Sequence, residues 1–114
     1  MSTQEEDKIR IGHIISAAEE ASDMLGDKSL DEFENNRMLV LSLIKEIEII
    51  GEAAAKISKQ TKAKYSHIPW EDIVGMRNYL IHVYFDVDYK MIWDTVKFDL
   101  PPLLQEMKKV NAEN

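Results

Sequence analysis

The sequence predicts an all-α protein that folds as an antiparallel bundle of about four main helices. Apolar residues recur at steps of three and four over long stretches, which is the period of a helix. The strict alternation that marks strands is absent, and only four glycines and three prolines interrupt the 114 residues. No repeat, low-complexity tract or linker divides the chain. We therefore expect a single domain over residues 1–114.

The first helix is expected to start near Thr3 and to stop at Gly26. Thr3 and Glu6 have the spacing of a capping box, and glycine commonly ends a helix at the C′ position. One helical face between them is apolar: Ile11, Ile14, Ala18, Ala21 and Leu25. Ser29 and Glu32 repeat the capping-box spacing and are predicted to open the next helical stretch.

The second long helix shows the clearest pattern. Its apolar residues step 3-4-3-4-3, as in the seam between antiparallel helices: Val40, Leu43, Ile47, Ile50, Ala54 and Ile57. Leu41 and Ile44 widen the seam, so we expect this helix to contact more than one neighbour. Gly51 costs roughly 1 kcal/mol relative to alanine inside a helix. The close approach of another helix would offset that cost.

A basic, polar connector at residues 58–69 is expected to lead into a third helix. Pro69 suits the first turn of a helix, and the carboxylates of Glu71 and Asp72 favour the positive end of its dipole. This helix runs into the segment RNYLIHVY, residues 77–84.

A last helix is predicted after the segment FDVD, with Asp88 as its cap. Its apolar residues again follow the helical period: Tyr89, Ile92, Trp93, Val96, Leu103, Met107 and Val110. Pro101 and Pro102 must kink this helix or restart it, because proline removes a backbone donor and clashes with the preceding turn.

The net charge of −7 is concentrated near the start of the chain. Residues 1–36 carry ten acidic and three basic side chains, whereas residues 37–114 carry eleven of each. A nucleic-acid binder that depends on overall charge would be basic, so any RNA contact must use a local patch. The absence of cysteine excludes disulfides and thiolate nucleophiles. Without a long apolar run or a signal-peptide pattern, we expect a cytoplasmic protein that does not enter a membrane.

The segment RNYLIHVY concentrates groups that suit a phosphodiester. Arg77 is permanently charged, His82 can exchange a proton near neutral pH, and Asn78 precedes His82 by four residues on the same helical face. Arg77 and His82 are five residues apart, roughly 140° around a regular helix. They converge on one ligand only if the helix bends or a second copy supplies the partner group. Spacing alone also fits a surface arginine and a core imidazole.

Two longer segments resemble one family. IPWEDIVGMRNYLIHVYFDVDYKMIWDTV closely resembles the C-terminal half of HepT-like toxins, the DUF86 branch of the HEPN superfamily, and EIEIIGEAAAKIS resembles the second-helix signature of that family. The family motif of Arg, four residues, His, one residue and Tyr is met by Arg77, His82 and Tyr84. Asn78 matches the polar residue that often follows the arginine. The resemblance covers nearly the whole chain and implies a four- to five-helix bundle of HEPN type.

The resemblance also implies a function. Many HEPN domains are metal-independent endoribonucleases with a composite active site in the cleft of a homodimer, and HepT-like proteins are toxins of toxin–antitoxin modules. On this basis Arg77 binds the scissile phosphate, His82 transfers protons as the RNA 2′-hydroxyl attacks, and Asn78 orients His82 or the phosphate. No cofactor is expected. The implied partner is an MntA-like nucleotidyltransferase antitoxin that transfers AMP to Tyr84. The alternative is a non-catalytic HEPN module that binds a nucleotide or this partner.

Residues near these motifs carry weaker signals. Glu52 could hold Arg77 or the N-terminus of the third helix, or it could belong to an ion ladder with Glu48 and Lys56 at four-residue steps. The connector lysines could guide RNA, or they could be a solvated surface: Lys59, Lys62 and Lys64. We expect no metal site.

Overall fold

A computed structural model of the chain describes residues 3–82 and 87–113, and at positions 81 and 82 it describes the backbone alone. The helices are α1 (Thr3–Leu25), α2 (Leu30–Glu34), α3 (Arg37–Lys56), α4 (Lys59–Lys64), α5 (Trp70–His82), α6 (Tyr89–Asp94) and α7 (Leu100–Glu113). A π-helical turn at Thr95–Asp99 joins α6 to α7. No strand occurs in the described residues. The predicted all-α bundle is confirmed.

The ends of the helices follow the local chemistry that the sequence indicated. Gly26 follows α1 with a φ of +51°, the left-handed conformation of a helix stop. Ser29 and Glu32 form the predicted capping box at the start of α2. The Asp88 side chain accepts a hydrogen bond from the Met91 N–H at 3.2 Å and caps α6. The connector differs from the prediction, because it contains the short helix α4.

Helix α3 lies at the centre of the bundle and packs against both α1 and α5. All six residues of its predicted seam are buried. Contact with more than one neighbour is therefore confirmed. The proposed widening by Leu41 is wrong, because its side chain is 42% exposed. Ile44 is half-buried and packs against the core.

The antiparallel interface between α1 and α3 encloses the carboxylate of Asp7. It accepts hydrogen bonds from the Ser58 N–H at 3.0 Å, from the Ser58 hydroxyl at 2.5 Å and from the Thr61 hydroxyl at 2.6 Å. Burial opposes ionisation of Asp7, but these hydrogen bonds outweigh it and lower its pKa. Asp7 therefore ties the start of α1 to the start of α4.

The same interface encloses a second carboxyl group, that of Glu46. It is nearly fully buried, and its Oε2 has no hydrogen-bond partner among the described residues. Burial raises the pKa of Glu46 to about 7, and the neighbouring carboxyl of Glu20 adds to the shift. Near neutral pH, Glu46 is thus partly protonated.

The two prolines of the last helix lie in the first turn of α7, just after the π-helical turn. The Leu100 N–H donates to the Thr95 carbonyl, five residues back, and the Thr95 hydroxyl donates to the Met91 carbonyl at 2.8 Å. A wider turn before Pro101 and Pro102 gives their rings space that a regular α-helical turn would deny them. The helix continues to Glu113 on the far side of the prolines.

Two tryptophans lie at junctions between helices. Trp70 begins α5 and is buried, and its indole N–H donates to the Tyr65 carbonyl at 3.1 Å. Trp93 is half-buried on α6, and its indole N–H donates to the Lys28 carbonyl in the turn after α1 at 3.0 Å.

Among the helices described, none is long and apolar enough to cross a membrane.

Candidate functional site

Helix α5 approaches α3 closely at Gly51. A Cβ atom at this position would overlap the Cβ of Arg77, and it would lie 2.8 Å from the Arg77 Cγ and 3.3 Å from the Ile73 carbonyl oxygen. Only glycine leaves room for α5 at this distance. The close approach expected at Gly51 is therefore present, and it places Arg77 directly on α3.

Arg77 is fixed by two neighbours at this crossing. Its Nη2 donates to Glu52 Oε1 at 2.7 Å, and its Nη1 donates to Asn78 Oδ1 at 3.0 Å. Its buried Nε has no hydrogen-bond partner among the described residues. The structure thus brings together three of the residues singled out in the sequence, and the guanidinium keeps donor capacity for a further ligand.

Glu52 is closer to Arg77 than to the ladder lysine. Its carboxylate lies 2.7 Å from Arg77 Nη2 but 4.0 Å from Lys56 Nζ. The hydrogen bond from Arg77 is the main cause that lowers the pKa of Glu52, and the charges of Arg77, Lys56 and Lys45 lower it further. Glu52 therefore belongs to both arrangements considered from the sequence, and its contact with Arg77 is the tighter one.

His82 is the last residue of α5, and its side chain lies outside the described part of the chain. Tyr84 also lies outside the described residues. The backbone is α-helical from Trp70 to His82 without interruption. Arg77 and His82 therefore belong to one uninterrupted helix.

An open groove between α1 and α3 ends against Arg77 and encloses about 480 Å³. We call it the α1–α3 groove. Its cations come from three helices: Arg10, Lys45, Lys56 and Arg77. Glu6, Glu48 and Glu52 interleave with them, and His13 of α1 also lines the groove.

Sequence reasoning missed Arg10, His13 and Lys45 as neighbours of the motif. Lys45 could have been found, because it precedes Glu48 and Glu52 at steps of three and four on one face of α3. Arg10 and His13 depend on the register between α1 and α3, which periodicity does not supply.

The connector lysines lie elsewhere. Lys59, Lys62 and Lys64 all belong to α4 and do not line the groove. Lys64 Nζ lies 5.3 Å from the centroid of the Tyr65 ring, a cation–π contact. The structure does not bring these lysines to Arg77.

A second groove of about 520 Å³ lies on the other side of α5 and is mainly apolar. It runs between α3, α5 and α7 and is lined chiefly by Ile47, Ile50, Ile73, Met76, Leu100 and Leu103. His67, to which the sequence assigned no partner, lies at its edge with its Nε2 2.9 Å from Glu106 Oε2. Among the described residues, no group of three or more His, Asp or Glu side chains could hold a metal ion.

Comparisons with known proteins agree with the resemblance in the sequence. A family model described as "Ribonuclease HepT-like" matches residues 14–110. The protein named "Putative RNase MJ0125" from Methanocaldococcus jannaschii is 39% identical over 97 residues, which cover 85% of this chain and 84% of the relative. "Putative RNase TTE0752" from Caldanaerobacter subterraneus subsp. tengcongensis is 35% identical over 98 residues, covering 86% of this chain and 88% of the relative.

A further relative carries the family name itself. "Probable ribonuclease HepT" from Thermococcus cleftensis is 34% identical over 97 residues, 85% of this chain and 88% of the relative. No solved structure matches the chain. The match over residues 14–110 and these identities show that the chain belongs to the HepT-like ribonuclease family.

Proposed function

We propose that this protein is a metal-independent endoribonuclease and the toxin of a toxin–antitoxin pair. The observation that carries the proposal is the position of Arg77. Its side chain packs against Gly51 and is hydrogen-bonded to Glu52 and Asn78. It also lines a groove and precedes His82 by about one and a half helical turns. A guanidinium held in this way is preorganised for a phosphate.

The reaction needs a phosphate-binding group and proton transfer. The RNA 2′-oxygen attacks the adjacent phosphorus, and its proton passes to a base as the new P–O bond forms. The bond between phosphorus and the 5′-oxygen then breaks, and that oxygen receives a proton. We assign charge stabilisation to Arg77 and proton transfer to His82. Asn78 accepts a hydrogen bond from Arg77 Nη1, so we assign it the orientation of the guanidinium.

The active site is proposed to form between two copies of the chain. Five residues separate Arg77 from His82, which corresponds to roughly 140° on a regular helix, and both residues belong to the uninterrupted helix α5. A homodimer resolves the difficulty if Arg77 of one copy and His82 of the other act on the same phosphate.

We further propose that an MntA-like nucleotidyltransferase silences the toxin by transferring AMP from ATP to the Tyr84 oxygen, which loses its proton as pyrophosphate leaves. Tyr84 follows His82 by two residues. An attached AMP would bring a phosphate to Arg77 and fill the place of the substrate. Co-expression with such a partner should add the mass of one AMP per chain, and Tyr84→Phe should prevent this addition.

An RNA-cleavage assay with chelator present tests the nuclease. We expect the parent to cut RNA and His82→Ala and Arg77→Ala each to lose at least about a hundredfold in rate, as for other groups that act in a transition state. His67→Ala removes a histidine remote from the motif, and its rate should equal that of the parent. If His82→Ala cuts RNA as fast as the parent, the protein is not this nuclease, and a nucleotide- or partner-binding role replaces it.

A mixture of the two inactive variants tests the composite site. In a heterodimer of Arg77→Ala with His82→Ala, one site keeps both wild-type groups if the groups come from different copies. Random exchange in an equimolar mixture makes half of the dimers heterodimers, so mixing should then restore up to about a quarter of the parent's activity. If each site lies within one copy, both sites of the heterodimer stay defective and mixing restores none.

A further inference from the structure

The α1–α3 groove has a charge that differs from that of the whole chain. The chain carries a net charge of −7, yet the groove presents four cations against three carboxylates. Arg10, from the acidic N-terminal third, is one of these cations. A phosphate that approaches Arg77 therefore meets a local excess of positive charge, which RNA binding by an acidic protein needs.

The cations of the groove differ in how far they are already neutralised. Glu6 lies 3.7 Å from Arg10, and Glu52 pairs with both Arg77 and Lys56. No carboxylate of the described residues lies within ion-pair distance of Lys45. An anion can bind Lys45 without breaking an existing pair, so this lysine should contribute most to phosphate binding.

The floor of the groove is apolar. It includes Ile9, whose side chain is 46% exposed, together with Ile49 and Ala53. Such a strip suits the sugar and base faces of a nucleotide. His13 is the only ring among the residues that line the groove in the described chain, so it can stack with one base at most. Binding should therefore depend on phosphates and should discriminate little between sequences.

The dimensions favour a single strand. A volume of about 480 Å³ falls in the range of about 300–1,000 Å³ for sites that hold one ligand of drug size, which a nucleotide is. A space of this size can take one nucleotide of a flexible single strand, whereas a rigid RNA duplex is too wide for it.

We propose that the α1–α3 groove is the subsite for the single-stranded RNA next to the cleaved phosphate, with Lys45 and Arg10 on its phosphates and Ile9 beneath its sugar. The proposal rests on the ribonuclease function and extends it, because it states where the substrate lies and in which form. Beyond Lys56 the strand would reach the start of α4, where Lys59, Lys62 and Lys64 could add outer contacts.

Binding can be measured without cleavage in the His82→Ala protein. The probe is a fluorescein-labelled, mixed-sequence single-stranded RNA of twelve nucleotides, followed by anisotropy at several salt concentrations. Lys45→Ala should weaken binding about fivefold and reduce the slope of log K against log salt by about 0.7 for one lost phosphate contact. Ile9→Glu places a carboxylate on the floor and should weaken binding at least as much.

Lys109→Ala provides the matched control, because Lys109 is exposed on α7 and pairs with Glu106 away from the groove. Its affinity should match that of the background. Duplex RNA should bind more weakly and should not distinguish the variants. Equal affinities of Lys45→Ala, Ile9→Glu and the background for single-stranded RNA would overturn the subsite. So would a monomer produced by Ile9→Glu, measured by sedimentation, because the groove would then be a protein interface.

These outcomes are separate from the outcome for the nuclease. If the parent cuts RNA while the groove variants bind normally, the subsite is wrong and the nuclease stands. If the groove variants lose binding while His82→Ala cuts as fast as the parent, the subsite stands and the assigned catalysis is wrong.

Discussion

Two glutamates of α3, six residues apart, have opposite environments. Glu52 is exposed and receives a hydrogen bond from Arg77, which lowers its pKa. Glu46 is buried against α1 beside another carboxyl, Glu20, and its pKa is raised to about 7. The difference arises from the neighbouring helix, since α5 brings a cation to one glutamate and α1 brings a carboxyl to the other. The same side chain therefore serves the candidate site at one position and makes the core sensitive to pH at the other.

The largest effect is expected from a substitution at the contact between α3 and α5, beside Glu52. Gly51→Ala introduces a Cβ that overlaps Arg77, so α5 must move away. Overpacking of this kind costs about 1–3 kcal/mol, partly offset by a gain of about 1 kcal/mol in helix propensity. If the overpacking cost is near the upper limit of that range, the net loss in the free energy of unfolding, measured in urea, is about 2 kcal/mol. We expect RNA cleavage to fall more than tenfold.

Gly75→Ala is the matched control for Gly51→Ala. Gly75 also lies within a helix, but a Cβ there meets nothing within 4 Å. This variant should gain up to about 1 kcal/mol from helix propensity. Equal stabilities for the two alanine variants would show that α5 does not depend on the glycine.

The next largest effect is expected at Glu46, in the interface between α3 and α1. The pKa of Glu46 is raised from 4.5 to about 7 in the folded protein, so the unfolded chain releases this proton at lower pH. The favourable contribution is complete below about pH 4.5 and is lost as the pH rises through 7. Glu46→Gln should therefore be more stable than the parent at pH 8 and equal to it near pH 4.5.

Urea unfolding at the two pH values measures this difference. Glu34→Gln, which removes a carboxylate from an exposed position at the end of α2, controls for the loss of one charge. If Glu46→Gln and the parent show the same dependence on pH, the carboxyl pair between α1 and α3 does not form.

The smallest effect is expected at Glu52. The amide of Glu52→Gln can still accept the hydrogen bond from Arg77 but lacks the charge that strengthens it. We expect RNA cleavage to fall by a factor of about two to three and the unfolding midpoint in urea to stay the same. Glu52→Ala, which leaves Arg77 without this acceptor, should lose more activity. A fully active Glu52→Ala would assign Glu52 to the surface ladder with Lys56 alone.

Local chemistry explains which parts of the fold could be predicted. Gly26, Ser29 and Asp88 act through their own backbone or the next turn, so their roles were visible in the sequence. Leu41 was misjudged because periodicity identifies an apolar face of a helix but does not show how much of that face the neighbouring helices cover. The short helix α4 was missed although Ser58 caps it locally by accepting a hydrogen bond from the Thr61 N–H, because none of its six residues is buried and no apolar period marks it.

The candidate site divides in the same way. The spacing in α5 and the family resemblance singled out Arg77, Asn78 and Glu52, and the structure brings these three together. Arg10 and His13 were not singled out, because only the packing register of α1 on α3 places them in the groove. The roles of His82 and Tyr84 remain predictions, which the cleavage and mass measurements test.

The hydrogen bonds of the two tryptophans have a spectroscopic consequence. Trp70 is bonded to the Tyr65 carbonyl where α4 meets α5. Trp93 is bonded to the Lys28 carbonyl after α1 and contacts the Phe98 ring. Since the chain has only these two indoles, its intrinsic fluorescence comes from two separate junctions. In a Trp93→Phe variant the emission would come from Trp70, at the start of α5. Binding of RNA or of a nucleotidyltransferase near this helix could then be followed without any attached label.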